Sequence, residues 1–346
     1  MKASCFFLAL VAVALLGASS TPFTHGQDVL YIGDGGTDTI KVFDAFVPDM
    51  FLGASEGPGT SGLAGPRGIV VSEGELLVVN QNVNLPLRGE VLRYDAVNGT
   101  FLGRLISATD KEAPFAPDGL VLGLGGDLLI GNVTTANGKS HGELRRYDSS
   151  DGSFLSAARA QGFQNKDLHV RGVVVGLDAL IYVSVRSLKK DGLGGAVLRY
   201  NPDGTFFDVF VDDEGGFGQL NRPDGLVFGP DGCLYVTSFR AAPGDTDSIR
   251  IYEADGAFQG KIDLHNGTTD TRVFAQSLLF GPGGKLYVPV STSPNPALST
   301  GAVRRYDVDE GTYDELISFA SGELLAPVYM TFGKTDPSTL NYIEVE

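Results

Sequence analysis

Short apolar runs recur along this chain with turn residues between them, and no stretch shows helical spacing. In one window the runs are GIVV (68–71), ELLVVN (75–80), EVLRYD (90–95) and TFLGRL (100–105). The first run joins the second, and the third joins the fourth, through short links such as SEG, GPDG, NPDG and EADG. Links of this kind close antiparallel hairpins. The first two runs are almost continuously apolar, as expected where neighbours cover both faces of a sheet. The third alternates, with Leu92 and Tyr94 on one face and Val91 and Arg93 on the other. The pattern predicts four antiparallel strands, here called A to D.

The same four-strand sentence is written six times. GEVLRYDAVNGTFLGRL (89–105) has a near-copy in GELRRYDSSDGSFLSAA (142–158), and diverged copies begin at Thr39, Ala196, Ser248 and Ala302. The aligned aromatics are Phe43, Tyr94, Tyr147, Tyr200, Tyr252 and Tyr306, spaced 51 to 54 residues apart. A fixed period of this size with four strands per unit predicts an all-β fold, a six-bladed β-propeller of four-stranded antiparallel blades. The first blade begins at DVLYIGD (28–34), which is a B-type strand, and PVYMTFG (327–333) is a spare A-type strand at the other end. The C-terminal strand is therefore expected to complete the first blade and close the ring, leaving no open edge. The TLNYIEV segment (339–345) resembles a further B strand with no blade to join.

The blade pattern, cleanest in RPDGLVFGPDGCLYVTS (222–238), resembles NHL-type six-bladed propellers. More loosely it is similar to the superfamily of virginiamycin B lyase and the gluconolactonase/senescence-marker proteins. The resemblance covers nearly all of 28–346 and implies the fold rather than one activity, because these propellers include hydrolases, lyases and pure binding modules. WD-type and kelch propellers fit badly, since both rely on Trp and the chain has none.

The start of the chain changes the domain reading. Lys2 precedes an apolar run from Cys5 to Leu16 and then the small residues Gly17 to Ser20. This predicts a secretory signal at 1–20, with cleavage as late as 26, followed by a single propeller domain over 28–346. The expected location is extracellular, or periplasmic in a bacterium. No later run is long and apolar enough to span a bilayer. With Cys5 lost in the signal, Cys233 is left alone, so no internal disulfide is expected. Glycosylation sequons occur at Asn98, Asn132 and Asn266. The formal charge of −16 repels phosphate backbones and argues against a nucleic-acid partner. A monomer is expected.

The predicted B–C and D–A loops are long, for example QNVNLPLRG (81–89), VTTANGKSHG (133–142) and SATDKEAPFAPDG (107–119), whereas A–B and C–D turns are short. Both long sets leave a blade at the same end, so one face is decorated, and loops on a rigid scaffold are the usual place for function. Aligned starts of the A strands place Arg67, Asp118, Arg171, Asp224, Gln276 and Val328 around the axial mouth of that face. The alternating charges suit a cup for a ligand; an inter-blade ion-pair ring without a ligand is the plainer reading. Aligned ends of the B strands give Asp34, Asn80 and Asn132, oxygen donors suited to Ca²⁺. The gluconolactonase resemblance implies an axial divalent ion, although Val at two of the six positions departs from it. Side chains that cap turns explain the same residues. His169, two residues from Arg171, is the one candidate general base, against the reading of a solvated loop histidine.

Two functions follow. The favoured one is a secreted binding module holding a protein, peptide or glycan on the decorated face. The alternative is a metal-assisted lactonase or lyase acting on a small polar substrate in the axial cup. A purely structural role has no need of the long loops.

Overall fold

The computed structural model describes residues 28–343 except 137–138, 161–167, 188–193, 213–219, 241–245 and 267–268; for 135, 136, 139, 187, 265, 266 and 269–271 the backbone alone is described. The signal expected at 1–20 lies outside the described residues. Six antiparallel sheets follow one another along the chain and form a six-bladed β-propeller. Blade II shows the plan: Pro66–Ser72, Glu75–Asn80, Glu90–Asp95 and Phe101–Ile106 run from inner to outer edge. Helix is confined to Pro58–Ser61 and three short 3₁₀ turns among the described residues. None is long and apolar enough to cross a membrane.

The repeated aromatic of strand C is buried in every blade, at most 2% exposed. In each blade it meets a ring from strand D: Phe43 with Phe51, Tyr94 with Phe101, Tyr147 with Phe154, Tyr200 with Phe206, Tyr252 with Phe258 and Tyr306 with Tyr313, with centroids 5.1–5.9 Å apart. An aromatic pair of this kind adds about 0.5–1.5 kcal/mol beyond its buried area, so the repeat is written by packing between the outer two strands.

Ring closure follows the expected route. Pro327–Phe332 pairs antiparallel with Val29–Asp34 as the inner strand of blade I, with Leu30 opposite Phe332 and Asp34 opposite Pro327. The segment after it does not form a B strand. Residues 334–343 make a tight turn, with Leu340 N donating to Asp336 O at 2.8 Å and Ile343 N to Lys334 O at 2.9 Å. Leu340 has φ 56° and packs against four of the five apolar clusters between the blades. A positive φ suits a turn and not a ladder, which is why the apolar pattern of 339–345 misled.

Two predicted loops are also different. Strands Asp127–Ala136 and Lys139–Asp148 extend as a paired ribbon through most of the 133–142 segment, with Thr134 opposite His141. Phe258–Asn266 likewise continues into Thr269–Arg272, a fifth strand at the outer edge of blade V.

Inner strands of successive blades touch at small residues. A Cβ at Gly119 would lie 2.6 Å from the Arg171 carbonyl oxygen, and one at Gly172 would lie 2.7 Å from that of Asp224. Gly119→Ala is expected to destabilise the protein by about 1–3 kcal/mol through overpacking. Gly59→Ala, where nothing lies within 4 Å, should stay within about 0.5 kcal/mol. Denaturant midpoints of the two variants check this, and equal midpoints would contradict the close approach.

Candidate functional site: the axial mouth

Five of the six inner strands lose register or break just inside the mouth. The shifts fall between Pro66 and Ile69, Pro117 and Leu120, and Val170 and Val173; the closing strand shifts between Pro327 and Met330. In blade VI the inner strand is split into Phe274–Ala275 and Leu279–Phe280 around the equivalent position. A bulge bends its strand and re-aims a side chain. The residues carried on these irregularities are Arg67, Asp118, Arg171, Gln276 and Val328, so the aligned A-strand starts share a local geometry as well as a position.

The charges sort into two layers. Asp118 is 2% exposed and holds Arg171 Nη1 at 2.5 Å. Burial lowers the Arg171 pKa, but the nearby Asp118 and Asp224 outweigh it and hold the guanidinium firmly charged. Asp224, also 2% exposed, pairs with Arg186 from the end of strand B rather than with a member of the aligned ring. Burial pushes the Asp224 carboxyl up and the Arg186 guanidinium down, so desolvation exceeds attraction for both partners. Such a pair adds little to stability. Asp224 also feels Asp118, Arg171 and Arg67, which ties all four aligned charges into one network.

Tyr329, from the closing strand of blade I, enters the same network. Burial first, then Asp118 and Asp224, raise its phenol well above the ordinary range and keep it neutral. The equivalent residue is Gly68, Gly119, Gly172, Gly225 or Ser277 in the other blades. Its ring packs against the apolar cluster of blades I and II, while the charged groups that act on its phenol, Asp118, Arg171 and Asp224, belong to blades III to V, so the phenol points toward the axis beneath the mouth.

Above this layer opens a cavity of about 590 Å³. Arg67, Arg186, Arg222 and Arg272 line it together with Phe239, Phe274 and Gln276. The guanidinium carbons of Arg186, Arg222 and Arg272 lie 5.0, 5.7 and 5.8 Å from the Phe239 ring centre, and Arg272 lies 4.0 Å from that of Phe274. Cation–π attraction holds these cations in place. Arg272 makes a two-pronged pair with Asp247 at 2.7 and 2.8 Å. Arg67 and Arg222 have no carboxylate partner among the described residues. Arg67 Nη1 donates to the Pro66 carbonyl at 2.8 Å and Arg222 Nη2 to that of Arg240 at 3.1 Å. Arg222 Nε is buried without a hydrogen-bond partner among the described residues. Its backbone sits at φ 46°, a region that costs a residue with a Cβ about 1–2 kcal/mol.

The oxygen donors proposed for Ca²⁺ do another job. Asp34 Oδ1 accepts from Gly36 N and Ala326 N at 2.9 and 2.8 Å. Asn80 Oδ1 accepts from Ala64 N at 2.9 Å and Asn132 Oδ1 from Ala116 N at 3.0 Å. Their Nδ2 groups donate to Glu90 at 2.8 Å and Glu143 at 2.9 Å. Ser238 accepts from Asn221 N at 3.0 Å in the same way. In these blades a strand B end staples the D–A loop that leads into strand A. The oxygens are committed to N–H groups, and no cluster of three or more His, Cys, Asp or Glu among the described residues could hold a metal. The set does not fit a calcium ion.

Asn132 is 0% exposed with both amide atoms bonded, so a glycan on its Nδ2 is incompatible with this packing. Asn98 lies in a C–D turn, its Oδ1 accepting from Thr100 N at 2.9 Å. The Asn266 side chain is outside the described residues. His169 sits on the inner strand of blade IV opposite Arg186, half-buried.

The residues missed by sequence reasoning are Arg186, Arg222, Arg272, Phe239, Phe274 and Tyr329. Tyr329 could have been found, being the one bulky residue in an aligned column of Gly and Ser. The others sit one or two residues off the aligned positions or in loops, where the repeat gives no register.

No family model matches the chain, and no curated protein matches it in sequence. Solved structures share the fold. A protein of unknown function from Bacteroides caccae has a TM-score of 0.53 at 10% identity, over 91% of this chain and 98% of that one. A thermostable family-43 glycoside hydrolase has 0.50 at 13%, over 74% and 93%. The calcium-binding protein regucalcin from Agrobacterium tumefaciens has 0.48 at 16%, over 72% of each chain. At these identities the likeness extends to the propeller fold and no further.

Proposed function

We propose that this chain is an exported, NHL-like binding propeller that takes the end of a polar ligand, a glycan or small molecule, into the mouth cavity of its long-loop face. The observation that carries this is the cavity itself, about 590 Å³, lined by arginines, two phenylalanines and amide side chains from several blades. Ligand pockets fall at roughly 300–1,000 Å³ and combine an apolar wall with a few placed polar groups. The charges exposed in this wall are mainly guanidiniums, which bind but do not trade protons near neutral pH. The carboxylates Asp118 and Asp224 lie beneath them and are tied to Arg171 and Arg186, and Asp38 in the wall accepts from Gly65 N, so no pair of free carboxylates faces the cavity among the described residues. This favours binding over catalysis.

The test is a combined glycan and peptide array. Wild type is expected to retain a defined ligand class, and Ala297→Trp, which places bulk on an exposed residue of the cavity rim, should lose it at unchanged melting temperature. Wild-type signals that match the Ala297→Trp variant throughout would refute the reading.

A further inference from the structure

We infer that the group recognised in the mouth is a single carboxylate on a polyhydroxylated body, a uronate sugar, gripped by Arg67 and Arg222. This rests on the mouth being the binding site and goes further by naming the ligand's chemistry. Four guanidiniums face one cavity in a protein whose formal charge is −16. Two are already neutralised, Arg186 by Asp224 and Arg272 by Asp247. Arg67 and Arg222 are not, among the described residues, and the one acidic residue in the wall, Asp38, spends Oδ1 on Gly65 N at 2.7 Å.

Arg222 carries the strongest mark. It is held at φ 46°, its Nε is buried without a partner among the described residues, and it stacks beside Phe239. A strained backbone that sets a guanidinium on a cavity wall, with its Nε buried and its fork toward the opening, is a pattern found at ligand clamps. The planar fork of Arg suits the two oxygens of a carboxylate. A polyanion would be repelled by the net charge of −16, so one anionic group on a neutral body is the better match. Gln276, Asn84, Asn295 and Ser293 on the wall offer both donors and acceptors, as a ring of hydroxyls requires, and the Phe239 and Phe274 rings offer apolar surface for its C–H groups.

Titration calorimetry with D-galacturonate, D-galactose and sulfate tests this on the full mature chain. Galacturonate is expected to bind at least tenfold more tightly than galactose. Arg67→Gln and Arg222→Gln should each weaken galacturonate binding by roughly 10- to 100-fold, the span of a lost charged hydrogen bond, with melting temperature unchanged. Arg222→Lys, which keeps the charge and loses the fork, should recover only part of the loss and guards against misfolding of the Gln variant. Galactose binding equal to galacturonate, with Ala297→Trp abolishing both, would leave the mouth as a binding site and overturn the anion. Sulfate competing as well as galacturonate would overturn the sugar. Galacturonate that binds neither wild type nor variants, while neutral glycans or peptides bind on the array, would overturn the inference alone.

Discussion

Deleting residues 327–346 is expected to abolish soluble, cooperatively folding protein. Those residues supply the inner strand of blade I, whose hydrogen-bonded ladder to Val29–Asp34 closes the ring. Without it the B strand of blade I offers an unpaired edge to other chains, and the apolar cluster shared by blades VI and I loses Met330 and Phe332. A shorter deletion, 334–346, separates closure from the tail. It keeps the closing strand but removes Leu340, which touches four core clusters, and Tyr342, whose ring lies 5.2 Å from that of Phe332. Loss of one apolar side chain of this size costs about 2–5 kcal/mol when fully buried; Leu340 is partly buried, so the shorter form should fold with a lower melting temperature. Soluble yield and calorimetric melting decide it. A 1–326 form that melts like the intact protein would show that ring closure lies elsewhere.

Asp118→Ala is expected to destabilise the protein by about 3–5 kcal/mol, because it leaves the Arg171 charge buried without its partner. Asp224→Asn should behave differently. The Asp224 carboxyl is raised by burial above its ordinary 3.8. A raised acid contributes stability that is complete below its unfolded value and is lost as pH rises through the folded value. The ionised form at neutral pH therefore carries a burial cost that Asn does not; this offsets part of the loss of the Arg186 pair, so any deficit of Asp224→Asn relative to wild type should shrink as pH goes from 3 to 7. Denaturant unfolding across that range reads both variants. Equal losses at Asp118→Ala and Asp224→Asn at neutral pH would mean that both carboxylates serve the ring structurally, and that the pair with Arg186 is not held for a ligand.

Much of the architecture is legible in the sequence. Strand alternation, short Gly and Asp turns and the recurring aromatic from Phe43 to Tyr306 specify blades, because each blade is stabilised by contacts whose partners lie a fixed distance apart in the chain. The orphan strands at 28–34 and 327–333 announced the closure for the same reason. Alignment also assigned Arg67, Asp118, Arg171, Asp224 and Gln276 one equivalent position; Arg67 and Gln276 line the cavity, and the other three lie beneath it. Their partners were not legible. Whether Asp224 faces Arg171 or Arg186 depends on the direction of a side chain leaving an irregular strand, and the repeat does not encode that.

The sequence by itself determined the six blades, their strand order and the seam, since these follow from local periodicity and from packing between repeats. The tertiary structure alone decided the site. Bulges inside the mouth, the phenol of Tyr329 pointed toward the axis, the oxygens of Asp34, Asn80 and Asn132 turned to loop N–H groups, and four arginines from separate blades and loops facing one cavity all arise where the chain leaves its repeat. There the partners are distant in sequence, and only the closed ring brings them within reach of one another.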